Sequence, residues 1–580
     1  MARLSRSLKV PILVIIIASF VTSGVVFWQA VSNSRALDTY VVMRDGYKLY
    51  TRVYFPASNY SSPRPVIMIR TPYDITSATY TSQAIGAGGW TSQGYDVVLQ
   101  DIRGEHHSIS NGLPFPLFYN ESNDGYDTAK WICAQPWCDG NIATVGASAD
   151  AFTQIACDAS GAPGVKAAFI YAGAAELYDQ WAYPGGCLSK SFLDAWLPGV
   201  NGLAYYPTIL QHATKDAYWT NTSLSADDRI KNVNVRAVIF AGWYDVFQAG
   251  SIETYELYAH DGSAYSQGHQ VMVIGPWYHG GMNHTGVPEY MATLNTAAGI
   301  GYDKATSAEF SIFREELLGV PMNWSAQPRV MYMLMGDPSD PLADQWHNAT
   351  DWPVPCTYEN WYFQPNGTLS NSTPTTKANE SYLYDPSNPV HTGGGRTFPA
   401  SAKGTDVPIT WGAYDNRPIE DNRTDILHFT SATLAAPVVI TGKLNATLHV
   451  ASNCTDTDFA VKLLDIYPDG REINVADGIL KARYRDGFTS ANEALMVPGK
   501  TYNLTIDMWN MAYRFAAGHR IRVSITSSNY PEYAVNPNTG GAVGSWGPHD
   551  MALVPHAIAN NTVLLGQGAT PSCIVFPRII

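Results

Sequence analysis

The stretch Val145-Gly146-Ala147-Ser148-Ala149-Asp150-Ala151 decides how this chain of 580 residues is interpreted. An apolar run precedes it, and apolar residues at helical spacing (Phe152, Ile155 and Ala156) follow it, which predicts a strand, a sharp turn and a helix. Such a turn raises a serine hydroxyl above the sheet, beside the N-terminal end of the helix. Ser148 is therefore a candidate nucleophile, although aspartate replaces the second glycine of the usual Gly-x-Ser-x-Gly pattern.

Strand and helix patterns alternate around this stretch, which is typical of a doubly wound parallel sheet. A hairpin is predicted over 38–55, with its turn at Arg44-Asp45-Gly46. Apolar runs of the kind that a parallel sheet buries on both faces occur at 66–69, 96–100, 165–171, 235–241, 270–274 and 329–335. From about 173 to 234 the strand pattern lapses, and aromatic residues at helix-like spacing predict an inserted helical cap.

The segment Asp351-Trp352-Pro353-Val354-Pro355 marks a domain boundary, because its two prolines interrupt both helices and strand ladders. Beyond it, short strand runs alternate with Gly, Pro and Asn turns, among them 438–440, 446–450, 459–464 and 521–525. We therefore predict a catalytic domain over 36–355 and an all-β domain over 356–580, built as a two-sheet sandwich or jelly roll.

Residues 1–35 are predicted to be a targeting segment. Basic residues precede an apolar run over 10–28, and the small residues at 30–32 suit signal peptidase. Since the run approaches the roughly 20 residues that span a bilayer, a cleaved signal peptide and an uncleaved signal anchor both remain open. Fourteen Asn-x-Ser/Thr sequons agree with a glycoprotein that is secreted, or anchored with its catalytic part on the lumenal or extracellular side.

The formal net charge of −14 argues against binding to nucleic acid or to anionic membranes through a basic surface. The sequence contains no metal-ligand spacing. Contact with a membrane is predicted only through the possible N-terminal anchor. The expected partner is a small ester, amide or short peptide substrate, and the sequence does not indicate an oligomeric state.

A serine nucleophile requires a base and an acid that orients it, and in α/β-hydrolases these follow in the order Ser, Asp or Glu, His. Asp245 comes directly after one apolar strand and His279 directly after the next. Because catalytic groups on open parallel sheets gather at the carboxyl ends of strands, we expect these side chains to meet Ser148. The backbone amide of Ala149 and the hydroxyl of Tyr73 are candidate oxyanion donors.

Several motifs resemble one family in the same order along the chain. They are MRDG at 43–46, RTPYD at 70–74, QDIRG at 100–104, DGYDTAKWICAQPWCDGNIATVGAS at 124–148, AGWYD at 241–245, GPWYHG at 275–280, DGILKARYR at 477–485 and RFAAGHRIRVSITSSNYPEY at 514–533. The chain resembles the cocaine-esterase and Xaa-Pro dipeptidyl-peptidase group of α/β-hydrolases, which also includes α-amino-acid ester hydrolases and glutaryl acylases.

The resemblance implies a hydrolase core with an inserted helical cap and a C-terminal jelly roll. It implies Ser148 as the nucleophile, His279 as the base and Asp245 as the orienting acid. It also implies that Tyr73 donates its hydroxyl to the oxyanion beside the Ala149 amide, without a cofactor or metal.

The elbow departs from the family pattern at three positions. Ala149 stands where relatives have tyrosine, Asp150 fills the variable place and Ala151 replaces a glycine. Asp150 either caps the helix, where negative charge is favourable, or reaches the pocket and receives a cationic group. Glu176 and Asp179 are candidates for such a cation subsite.

Aromatic residues of the predicted cap, Trp181 among them, are expected to line the acyl or leaving-group pocket. The sequence thus predicts a serine hydrolase that cleaves carboxylic ester or amide bonds through an acyl-enzyme. Xaa-Pro dipeptidyl-peptidase or α-amino-acid ester hydrolase activity is the alternative within this class. A non-catalytic secreted binding glycoprotein is the alternative from another class.

Overall fold

The computed structural model describes residues 35–57, 62–86, 88–108, 118–200, 202–224, 226–279, 311–322, 328–398, 410–566 and 571–579. The predicted signal peptide or signal anchor lies outside these ranges, apart from residue 35. Within them, no helix is long and apolar enough to cross a membrane.

The first domain is built on a ten-stranded sheet. Its strands are β1 (Arg35–Val42), β2 (Lys48–Phe55), β3 (Arg64–Thr71), β4 (Asp96–Asp101), β5 (Cys138–Ala147), β6 (Val165–Tyr171), β7 (Arg236–Tyr244), β8 (Val271–Tyr278), β9 (Val330–Gly336) and β10 (Gln345–Ala349). They lie in the order β1-β2-β4-β3-β5-β6-β7-β8-β9-β10. Strands β3 to β9 are parallel, while the predicted hairpin and β10 run antiparallel at the two edges.

Helices α1 (Ala78–Ile85), α2 (Glu121–Cys133), α3 (Ala149–Ala159), α7 (Gln248–His260) and α8 (311–318) cover both faces of this sheet. The remaining helices are α4 (Lys190–Trp196), α5 (Tyr206–Gln211) and α6 (Ala217–Thr220) before β7, and the single turn α9 (Arg417–Glu420) in the second domain. Val97 and Leu99 of β4 face the side covered by α1 and α8, whereas Val98 faces the side covered by α2, α3 and α7. Both faces are buried, as the near-continuous apolar runs predict.

The segment between β6 and β7 is the predicted helical insertion. It consists of α4, α5, α6 and several single turns, and its aromatic side chains form one cluster that reaches the N-terminal end of α3. At its edge Phe192 of α4 packs edge-on against Phe247, which follows β7, with ring centroids 5.5 Å apart. The cap therefore lies over the carboxyl ends of β5 and β7.

The second domain is a two-sheet β-sandwich. Its strands are β11 (Thr357–Phe363), β12 (Leu369–Ser370), β13 (Lys377–Tyr384), β14 (Leu427–Thr430), β15 (Val438–Ser452), β16 (Asp458–Ile466), β17 (Glu472–Lys481), β18 (Tyr502–Phe515), β19 (Arg520–Thr526), β20 (Ala559–Gly566) and β21 (Cys573–Arg578). One sheet has the order β14-β19-β16-β17, and the other is centred on β15, which pairs with β18, β20 and β21. A hydrolase core with a cap and a C-terminal sandwich confirms the predicted fold class.

One strand prediction was wrong in this domain. The runs 438–440 and 446–450 were predicted as separate strands, but both belong to β15. Gly442, which looks like a turn residue in the sequence, has a φ of 133° just before a β-bulge between Lys443 and Asn445. A bulge absorbs one extra residue without ending the strand, so the sequence signal resembles that of a turn.

Candidate active site

Ser148 lies at the turn between β5 and α3. Its backbone has φ 59° and ψ −123°, a strained conformation for a residue with a side chain. Gly146 makes this turn possible, because a Cβ atom there would lie 2.6 Å from the Cβ of Asp150. The Ser148 amide donates to the carbonyl of Tyr171 in β6 at 3.0 Å, which ties the turn to the neighbouring strand. The predicted strand, turn and helix are thus all present.

His279 connects Ser148 to Asp245. Its Nε2 lies 3.0 Å from Ser148 Oγ, and its Nδ1 lies 3.1 Å from each carboxylate oxygen of Asp245. Because a carboxylate only accepts, the contacts assign the Nδ1 proton to the Asp245 bond and leave Nε2 to accept from the serine. Asp245 is fully buried, and Oδ1 also accepts the Phe247 amide at 2.8 Å. The three residues predicted from the ends of β5, β7 and β8 meet in space.

Tyr73 follows β3 and lies beside the elbow. Its hydroxyl accepts a hydrogen bond from Trp196 Nε1 of the cap at 2.9 Å, which leaves the hydroxyl proton for an acceptor near Ser148. Burial raises the pKa of Tyr73, and the Asp150 charge adds to the effect, so the hydroxyl stays protonated and able to donate. The Ala149 amide is the first N–H of α3, where amides have no intrahelical acceptor.

Aromatic rings surround the His279 side chain. The ring centroids of Phe247, Phe398 and Phe192 lie 5.2, 5.4 and 6.5 Å from that of His279. Phe247 comes from the core, Phe192 from the cap and Phe398 from the segment that follows β13 of the sandwich. All three parts of the molecule therefore contribute to the walls around the proposed base.

These phenylalanines also line a small cavity, together with Trp181. Two titratable side chains of the second domain, Arg396 and Glu532, lie in its wall. The Arg396 guanidinium stacks over the Trp509 ring at 3.5 Å and its Nη2 pairs with Asp477 at 3.2 Å. Burial, with the charge of Asp477, raises the pKa of the Glu532 carboxyl, which favours its neutral form. The cavity therefore combines an aromatic wall with a polar wall of low net charge.

Of the described residues that line this cavity, neither Glu176 nor Asp179 is one. Glu176 forms an ion pair with Lys215 at 2.9 Å and accepts the backbone amide of Asp179 at 2.7 Å. Burial raises the pKa of Asp179 well above that of a free carboxyl, and hydrogen bonding to Glu176 adds to the effect. The two carboxyl groups thus form a buried network with each other and with a lysine.

Asp150 lies in the first turn of α3, where a negative charge is favourable, and its side chain does not line the cavity. Instead it is 8% exposed and accepts the Tyr80 hydroxyl of α1 at 2.6 Å, behind the oxyanion side of the elbow. The physical reason is the tight turn at Gly146, which directs the second residue of α3 towards β3 and α1.

One cluster in the described ranges, Asp74, Asp101 and His107, has the spacing of a cation site. Asp101 Oδ2 accepts the His107 amide at 3.1 Å and lies 3.0 Å from His107 Nδ1, and Asp74 Oδ1 accepts the amide and the hydroxyl of Thr76. These hydrogen bonds explain the cluster as a brace for the two loops after β3 and β4.

Sequence reasoning missed Arg396, Phe398 and Glu532 as residues of the cavity. Glu532 lies inside the motif at 514–533, so a signal was present, but nothing in the sequence pattern indicates which residues of the sandwich contact the cap. Trp196 lies in the aromatic-rich segment predicted as the cap, but its bond to Tyr73 spans 123 positions and has no local sequence signal.

Comparisons with known proteins agree with this architecture. Residues 45–207 and 200–281 match the X-Pro dipeptidyl-peptidase (S15 family) profile, and residues 322–566 match the X-Pro dipeptidyl-peptidase C-terminal non-catalytic domain. Cocaine esterase from Rhodococcus sp. (strain MB1 Bresler) is 32% identical over 604 aligned residues, which cover 94% of this chain and 99% of that protein.

Solved structures share the whole fold. An α-amino acid ester hydrolase superposes with a TM-score of 0.75 at 21% identity, covering 97% of this chain and 98% of its own. An aminopeptidase from a marine sediment Thaumarchaeota archaeon superposes with a TM-score of 0.74 at 21% identity, covering 99% of both chains. The chain belongs to the cocaine-esterase and X-Pro dipeptidyl-peptidase (S15) family of α/β-hydrolases, and it is a serine hydrolase of ester or amide bonds.

Proposed function

We propose that Ser148, His279 and Asp245 are the catalytic triad of this hydrolase. The continuous chain of contacts from Ser148 Oγ through the imidazole to Asp245 carries the proposal. His279 Nε2 takes the serine proton as Oγ attacks the substrate carbonyl, and Asp245 stabilises the imidazolium that forms. The tetrahedral oxyanion then accepts from the Ala149 amide and the Tyr73 hydroxyl.

Collapse of this intermediate expels the alcohol or amine, which takes its proton from His279, and leaves an acyl-enzyme on Ser148. A water molecule, deprotonated by the same imidazole, attacks the acyl carbonyl and releases the acid. The rings of Phe192, Phe247 and Phe398 keep bulk water from the imidazole, which strengthens the electrostatic interactions around it.

Labelling with a fluorophosphonate probe tests the nucleophile. The wild-type protein should be labelled at Ser148, and Ser148→Ala should not be labelled at all. Ser191, another buried serine beside the cavity, supplies the control, because Ser191→Ala should retain labelling. Undiminished labelling of Ser148→Ala would refute the assignment of Ser148.

We further propose that the substrate is an ester without a free α-ammonium group. A dipeptidyl-peptidase must anchor that ammonium with an ionised carboxylate, but the candidates Glu176 and Asp179 are not among the residues that line the cavity, and Glu176 is paired with Lys215. Within the described wall, Arg396 is cationic and the neutral form of Glu532 is favoured. The similarity to cocaine esterase supports the same choice.

A comparison of substrates on the purified protein tests this choice. Simple aryl esters should be hydrolysed with a kcat/KM well above that for an Xaa-Pro arylamide or for an α-amino acid ester. A higher kcat/KM for the Xaa-Pro arylamide would instead establish the dipeptidyl-peptidase alternative.

We also propose that the protein is a secreted or anchored glycoprotein. Sequon asparagines with exposed side chains in the described ranges are Asn348, Asn366, Asn371, Asn379, Asn422, Asn453, Asn503 and Asn560. The protein produced by a eukaryotic host that secretes it should therefore lose mass on treatment with peptide N-glycosidase. An unchanged mass would contradict glycosylation.

A further inference from the structure

Asp150 is joined to the Tyr73 backbone by a chain of buried hydrogen bonds. The Tyr80 hydroxyl donates to Asp150 Oδ2 at 2.6 Å and lies 2.7 Å from Thr71 Oγ1. Thr71 Oγ1 in turn accepts the Tyr73 amide at 3.0 Å. The chain runs from the second residue of α3, through α1, to the residue whose hydroxyl is the proposed oxyanion donor.

Each hydrogen bond in this series donates in the same direction, from Tyr73 towards Asp150. Tyr80 has one hydroxyl hydrogen and gives it to Asp150, so the Thr71 hydroxyl donates to Tyr80 and accepts from the Tyr73 amide. Such a chain requires an acceptor at its end. Without an acceptor, the buried Tyr80 hydroxyl has no partner for its hydrogen. This raises the free energy of the folded protein unless the hydrogen bonds among Tyr80, Thr71 and Tyr73 rearrange.

The surroundings of Asp150 agree with a structural link to Tyr73. The charged or titratable groups that face it from α1 and from the end of β3 are Tyr80 and Tyr73, and neither is a cation. Burial raises the pKa of Asp150 to about 7, against the opposing effect of the Thr71 and Tyr80 hydroxyls. This carboxyl group has no ion-pair partner within the described ranges, and its side-chain hydrogen bond there is the one from Tyr80, which leads through Thr71 to Tyr73.

We propose that Asp150 is a positioning residue of the oxyanion hole, which holds Tyr73 beside Ser148 through Tyr80 and Thr71. Its substitution changes where the Tyr73 hydroxyl lies when the oxyanion forms, and leaves the triad in place. The inference rests on the proposed function, since it assigns Asp150 to the donor side of that reaction.

The same helix offers a matched control. Asp158 is also buried, at 2% exposure, and accepts a tyrosine hydroxyl, that of Tyr258, at 2.9 Å. Tyr258 lies in α7, far along the chain from the loop that carries Tyr73. Asp158→Ala therefore removes the same type of buried bond from α3 without touching the oxyanion side.

The test is a double-mutant cycle with p-nitrophenyl acetate as substrate. Asp150→Ala and Tyr80→Phe should each lower kcat roughly tenfold, with KM within about twofold of wild type. Asp150→Asn should restore most of the activity, because an amide oxygen can accept from Tyr80. In the Tyr73→Phe background, Asp150→Ala should lower kcat by at most about twofold further, because both changes act through the Tyr73 hydroxyl.

Two results would overturn the inference. One is the same loss from Asp150→Ala in the wild-type and Tyr73→Phe backgrounds, and the other is an equal loss of kcat in Asp158→Ala. If Asp150→Ala does not fold, Tyr80→Phe carries the same cycle. The proposed function fails separately if the probe still labels Ser148→Ala. If labelling requires Ser148 but substitution of Asp150 leaves kcat unchanged, only this inference is contradicted.

Discussion

Two buried Asp–His pairs in this molecule differ in one contact. His279 presents Nδ1 to Asp245 at 3.1 Å and Nε2 to the Ser148 hydroxyl at 3.0 Å. His519, between β18 and β19, presents Nδ1 to Asp465 at 2.9 Å, but its Nε2 faces a second carboxylate, Asp337, at 3.3 Å. The first imidazole therefore has a neutral group to deprotonate, whereas the second lies between two anions.

The second carboxylate changes the chemistry of the imidazole. Burial alone would lower the pKa of His519, but the hydrogen bond and charge of Asp465, together with Asp337, outweigh it and raise the pKa. The protonated form of His519 is thus favoured, and it joins the end of β9 to β16 of the sandwich. A buried Asp–His pair is therefore not by itself evidence of a base, because the partner of the other nitrogen decides its role.

The largest expected effect concerns the hydroxyl that distinguishes the two pairs. Ser148→Ala should lower the kcat for an aryl ester by the order of 10⁶, because the members of a triad act as a unit. The measurement is initial-rate kinetics on protein with an unchanged circular dichroism spectrum. A loss smaller than about tenfold would mean that Ser148 is not the nucleophile.

Asp245→Asn should have the next largest effect. An asparagine can present a donor to Nδ1 and so favour the wrong tautomer, which should lower kcat by about 10⁴. Asp465→Asn, the equivalent change in the second pair, is the control and should leave kcat within about twofold of wild type. Similar losses in both variants would remove the proposed difference between the pairs.

Tyr73→Phe should lower kcat by about 10² to 10³, because it removes one oxyanion donor and leaves the Ala149 amide. The ring still packs under the cap, so KM should change little. Trp196→Phe tests the other side of this hydroxyl, because it removes the bond to Tyr73 while the donor remains. Trp196→Phe should therefore lower kcat by less than Tyr73→Phe does. An equal or larger loss of kcat would contradict the role of Tyr73 as an oxyanion donor.

His519→Gln should affect stability and leave the activity of the folded enzyme within about twofold of wild type. Removing one partner of a buried ion pair leaves two carboxylates uncompensated and costs about 3 kcal/mol. We expect a lower unfolding temperature in differential scanning fluorimetry at pH 6. A large loss of kcat at temperatures where the variant is folded would point to a catalytic role instead.

The stabilisation by His519 should also depend on pH. Because the folded-state pKa is raised above its usual value near 6.5, the contribution is complete below that pH and is lost as pH rises through the raised pKa. The difference in unfolding temperature between wild type and His519→Gln should therefore be larger at pH 6 than at pH 9. A difference that grows with pH would contradict the cationic assignment.

Much of the fold could be predicted because its signals are local. The apolar runs of β3, β4, β7 and β8 reflect burial on both faces, and the positions of Asp245 and His279 at strand ends follow from chain order alone. The bulge in β15 was misread because a glycine in a bulge and a glycine in a turn give the same local pattern.

The sequence by itself determined the strand and helix periodicities, the elbow at Ser148 and the order of its partners, since these depend on residues close together in the chain. Only the tertiary structure decided which group faces each imidazole, how Arg396 and Glu532 reach the cavity, and that Asp150 turns towards Tyr80. These contacts join residues tens to hundreds of positions apart, and the packing of the core, cap and sandwich brings them together.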